Sequence, residues 1–87
     1  MLAIFEVIVA RGHDADALLS DEALADTQAQ VMTIEEARAV GFRGAEPDPK
    51  GREVRLIAVA PRDAQYVQRR LEANDGVQSF RIHEVET

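Results

Sequence analysis

Cysteine is absent from the 87 residues. That gap excludes a disulfide framework, a thiolate zinc site and a cysteine nucleophile. Small secreted domains usually lean on disulfides, so the expected compartment is cytoplasmic. Aromatic residues are nearly as scarce: Phe5, Phe42, Tyr66 and Phe80 are the whole set, with no Trp. The core must therefore be aliphatic. No apolar run is long enough for a bilayer, since Met1 to Ala10 is too short to span one and Glu6 interrupts it. It also lacks the basic leader of an export signal, so no membrane role is expected.

Basic residues are in deficit, with 10 Lys and Arg against 16 Asp and Glu, a net charge of −6. The imbalance is local. Residues 13–48 hold nine acids against Arg38 and Arg43, a net of −7, while residues 49–87 carry a net of +1. Nucleic-acid binding needs clustered Lys and Arg to neutralise phosphates, so no nucleic-acid partner is expected. The acidic excess reads first as a solubility device.

What is present is a regular alternation of patterns. Leu2 to Ala10 is almost continuously apolar, as suits a central strand buried on both faces. Asp14 or Asp16 can cap a helical segment, with Ser20-Asp21 as a second cap or kink. Residues 26–32 fit either a helix or a short edge strand, with the balance toward non-helix. Thr33-Ile34-Glu35-Glu36 has the spacing of a capping box, and Gly41 ends that helix. Phe42 to Arg52 holds Gly44, Pro47, Pro49 and Gly51, which predicts a flexible loop mobile on the nanosecond scale. Glu53 to Ala60 is a second strand. Pro61 opens a helix with Ala64, Val67 and Leu71 in one stripe, and Asn74-Asp75-Gly76 closes it. Val77 to Val85, mixed in polarity, is a strand nearer an edge.

These patterns predict one α+β domain with a mainly antiparallel sheet of 3–4 strands and helices on one face. The stretch 53–85, strand–Pro–helix–Asn-Asp-Gly–strand, together with the first strand, resembles a ferredoxin-like or ACT-type sandwich. That resemblance implies a fold and leaves function open, because such folds host metal binding, amino-acid sensing, RNA binding and several enzyme classes.

No cofactor fingerprint, P-loop or nucleophile elbow is present. His13 with Asp14 and Asp16 is a reactive-looking cluster, but the spacing lacks further ligands, so no metal is expected and capping is the simpler role. Arg62, near a helix start, is a candidate anion-binding residue. Arg69 and Arg70 read as a solvated helix face, with Tyr66 and Arg70 adjacent at i, i+4. Strand alternation supplies the main lead. If helices cover one face, the other is expected to present Ile4, Ile8, Ile57 and Val59 around Glu6, Arg55, Arg81 and His83, as an interface or a pocket wall. The expected function is a non-catalytic cytoplasmic interaction or regulatory domain, homodimeric through that open face. One alternative is a small enzyme or ligand-binding module with its pocket there. Another is an acidic decoy presenting residues 14–48 to a basic protein partner.

Overall fold

A computed structural model describes residues 2–19, 24 and 27–85. In chain order the elements are β1 (Leu2–Val9), α1 (Ala15–Leu18), β2 (Gln30–Met32), α2 (Ile34–Ala39), β3 (Val54–Val59), α3 (Pro61–Glu72) and β4 (Val77–Val85). The fold is α+β, with a four-stranded antiparallel sheet in the order β2-β3-β1-β4. Among the described helices, none is long and apolar enough to cross a membrane. The cap or kink expected at Ser20-Asp21 lies outside the described residues.

Local chemistry explains the element ends. Asp14 caps α1 by accepting the Asp16 N–H at 3.0 Å. At α2 the capping box forms in full: the Thr33 hydroxyl accepts the Glu36 N–H, and the Glu36 carboxylate accepts the Thr33 N–H, both at 3.1 Å. Gly41 follows with φ +101°, a conformation that costs a residue with a Cβ 1–2 kcal/mol or so. Residues 30–32, ambiguous in sequence, form the short edge strand β2, because Gln30, Val31 and Met32 find Ala58, Ile57 and Leu56 as partners.

Two apolar clusters lie on opposite faces of the sheet. On the first, Ala3, Phe5 and Val7 of β1 and Ile57 and Val59 of β3 pack with Leu19, Val67 and Leu71. The amphipathic stripe of α3 is thus spent on this face. On the second, Ile4 and Leu56 pack with Met32, with Ala37 of α2 and with Ala45, and Phe42 lies against them. The expectation that all helices share one face is therefore corrected. The α2 helix follows β2 directly, and its one buried residue, Ala37, belongs to the second cluster.

The proposed grouping of face residues is corrected as well. Residues paired across antiparallel strands point to the same side. Phe5 pairs with Ile57 and Ala3 with Val59, whereas Ile4 pairs with Ala58 and His83, and Glu6 with Leu56 and Arg81. Ile57, Val59 and Arg55 therefore lie on the first face, and Ile4, Glu6, Ile8, Arg81 and His83 on the second. Nor is the second face bare, because Ile4 is buried there within the subunit.

Candidate functional site

The segment after α2 crosses the second face as a strap. Its start is held by the Phe42 N–H donating to the Ala37 carbonyl at 3.0 Å, and Ala45 is buried in the cluster beneath. Further on, Asp48 accepts from the Arg52 backbone N–H at 3.0 Å and from its Nε at 2.8 Å, and the Gly51 N–H donates to the Asp48 carbonyl at 2.9 Å. The Asp48 side chain is only 3% exposed in this turn. Pro47 and Pro49 fix the backbone on either side of Asp48 rather than loosening it. The Lys50 carbonyl accepts from the Arg11 guanidinium at 2.6 Å, so the nanosecond mobility expected of this segment falls on Arg43 and Gly44, between the anchors.

The Asp48–Arg52 clamp carries a pH signature. Hydrogen bonding to the Arg52 side chain, opposed by some desolvation, holds the Asp48 carboxyl down at about 2. A free Asp titrates near 3.9, so ionised Asp48 favours the folded state fully above roughly pH 4. That contribution falls as pH drops through about 2. The Gly51 and Arg52 amide shifts should therefore titrate with a midpoint near 2, and Asp48→Asn should flatten them. A midpoint at the free-Asp value would mean that the clamp does not form in solution.

Beneath the strap sits Glu6, in the middle of the central strand. It is 8% exposed and is the one charged residue classed as buried among the described residues. A buried carboxylate needs partners. His83 Nε2 lies 2.9 Å from Glu6 Oε1, and the Glu46 N–H donates to Glu6 Oε2 at 3.3 Å. The pair thus ties β1 to β4, and the strap to both. Phe42 meets the His83 ring edge-on, with centroids 5.3 Å apart. Arg81, the cross-strand neighbour of Glu6, is exposed and makes no ion pair or side-chain hydrogen bond among the described residues.

Glu6, Ile8 and Arg81 line a cleft of about 470 Å³ whose far wall is Glu46, Asp48 and Arg52. The size is ordinary for a small-molecule site. Each Glu6 oxygen has one partner and a free lone pair, so the carboxylate can accept more. Asp48 is spent on Arg52. The polar groups left to a ligand are thus the Glu6 carboxylate and the Arg81 guanidinium side by side on the sheet, and the Glu46 carboxylate on the strap.

The sequence-derived residues divide accordingly. Glu6, Ile8 and Arg81 meet at this cleft, and His83, on the same face, holds the Glu6 carboxylate from beside it. Arg55 instead donates to the Val54 carbonyl at 3.1 Å and faces Glu53 and Asp16 at 3.4 and 3.9 Å. Arg62 is exposed at the start of α3, with its Nε 4.0 Å from Asp63. His13 is exposed beside the α1 cap, and among the described residues no three His, Cys, Asp or Glu side chains converge as a metal site. The Arg70 guanidinium lies 6.0 Å from the Tyr66 ring centroid, as the i, i+4 spacing predicts. What sequence reasoning missed is the strap: Glu46, Asp48 and Arg52 were hidden in a presumed free loop, although the i, i+4 Asp–Arg spacing was there to see. No family model, curated protein or solved structure matches this chain.

Proposed function

We propose that this chain is a non-catalytic cytoplasmic regulatory domain that binds a small zwitterion, an α-amino acid or a close analogue, in the cleft beneath the strap. One observation carries the reading: a buried carboxylate, Glu6, sits across the strand pair from a guanidinium, Arg81, that has no ion pair among the described residues, at the floor of a ligand-sized cleft. The ligand ammonium would be held by Glu6 and Glu46, and its carboxylate by Arg81 in charge-assisted hydrogen bonds. The ligand side chain would lie toward Ile8. The residues lining the cleft include no Ser, Thr, Tyr or Lys, which favours binding over covalent chemistry. A ferredoxin-like, ACT-type classification is supported by the strand order, in which β1–α1–β2 and β3–α3–β4 each span an intervening strand. The absence of cysteine supports the compartment.

Isothermal titration with a panel of amino acids tests the proposal. Saturable one-to-one binding is expected, weakened about tenfold or more by Arg81→Gln, as befits loss of a hydrogen bond between charged groups. No heat from any amino acid at millimolar concentration would overturn it, as would equal affinity in the variant.

A homodimer remains the second reading, carried now by a different surface. The β4 strand runs nine residues along the sheet edge, and Ile82 on it is 45% exposed. An edge of this length can pair with a second copy. Light scattering at micromolar concentration separates a dimer from a monomer.

A further inference from the structure

Beside Phe42, and sharing no lining residue with the charged cleft, lies a second recess of about 450 Å³. Its walls are Leu2, Ile4, Met32, Val40, Phe42 and Val85, so the site is apolar in bulk. Val40, at the end of α2, is 73% exposed, an uncovered apolar lip. Burying such surface is favourable for any apolar occupant. Two lining groups are polar, Gln30 and Arg43, and no acid lines the recess. Arg43 makes no ion pair or side-chain hydrogen bond among the described residues, although it belongs to the segment in which acids outnumber bases nine to two. A guanidinium with no carboxylate partner among the described residues, in the most acidic part of the chain and beside an apolar wall, matches a ligand that brings its own anion.

We infer that this recess binds a small amphipathic monocarboxylate, with its alkyl chain against Ile4, Met32 and Val85 and its carboxylate on Arg43. Charge complementarity selects this occupant over a purely apolar one. The guanidinium presents paired N–H donors that fit a carboxylate. The apolar wall supplies affinity and Arg43 supplies head-group choice. This site is separate from the zwitterion cleft and does not depend on it, since the two share no residue.

The test is a titration of the full 87-residue chain with n-hexanoate, n-octanoate and n-decanoate, followed by heat and by NMR shifts. Each buried methylene is worth about 0.8 kcal/mol, so affinity should rise about fourfold per added methylene until the recess is full. Shifts should concentrate at Ile4, Met32 and Val85. Octanol should bind more weakly than octanoate, and Arg43→Gln should erase that difference. Val40→Glu should weaken octanoate by placing a like charge at the lip. Both side chains are exposed, so both variants should keep the wild-type fold. The inference is overturned if affinity ignores chain length, if Arg43→Gln keeps the preference for octanoate, or if the shifts map elsewhere. It is equally overturned if the recess proves to be filled by a second copy, seen as a dimer that octanoate does not dissociate.

Discussion

Ile57→Asp should abolish the folded state. Ile57 is fully buried on the α3 side of the sheet, directly across from Phe5 and paired on its other side with Val31. The substitution forfeits about 1.5–3 kcal/mol of side-chain burial. It also leaves a carboxylate without a partner in an apolar layer, which costs several kcal/mol more or forces protonation. A domain of this size has only about 4–13 kcal/mol of stability in all. Circular dichroism should show no cooperative thermal transition, and the amide spectrum should collapse. Ile82→Asp is the matched control, since Ile82 is already half exposed on β4 and should tolerate the charge with little loss. A folded Ile57→Asp monomer would mean that this side chain faces a partner rather than α3.

Glu6 should show a different pattern, in which stability and binding separate. Removing the carboxylate by Glu6→Ala strands the His83 ring and the Glu46 N–H, both of which it satisfies. His83 retains some access to water, which moderates the penalty, so a loss of about 1–3 kcal/mol is expected. For a domain of this length each kcal/mol lowers the melting temperature by roughly 4–8 °C. Replacing both partners at once, Glu6→Leu with His83→Leu, removes the hydrogen-bonded pair together. That double variant should recover most of the lost stability, because replacing both members of a hydrogen-bonded pair by aliphatic side chains leaves neither side chain unsatisfied. Its amino-acid binding should nevertheless be gone, since the acceptor of the ligand ammonium is missing. If the double variant is folded and still binds, Glu6 is only the anchor of the strap, and the cleft takes its ligand some other way.

Much of this fold is legible in the residues themselves. The apolar run from Leu2, the capping box at Thr33, the stop at Gly41, the Pro61 helix start and the Asn74-Asp75-Gly76 ending each act through neighbours a few positions away. Local sterics and hydrogen bonds decide such features, and a sequence displays local neighbours directly. Three of the strands, the central place of β1 and the edge place of β4 follow from the same patterns, whereas β2 was settled only by its partner β3.

The site was decided elsewhere. Alternation reports which residues share a face within one strand, but it does not report which faces of two strands coincide. That depends on register, and in β3 the pattern is silent because Leu56 and Ile57, on opposite faces, are both fully buried. A one-residue difference in register moves every side chain to the other side. Hence Ile57, Val59 and Arg55 parted from Ile4, Glu6 and Arg81 only when the pairing was known. The strap was hidden for a related reason. Gly and Pro content describes the freedom of an isolated segment, whereas its place is set by contacts about forty residues away in sequence, such as the Glu46 N–H on Glu6. Local sequence was enough for most elements and several of their ends, because caps, stops and apolar runs act at short range, whereas β2 needed its partner strand. That a buried carboxylate, the Arg81 guanidinium and a strap meet over one face was set by the tertiary fold, because folding is what brings such distant groups together.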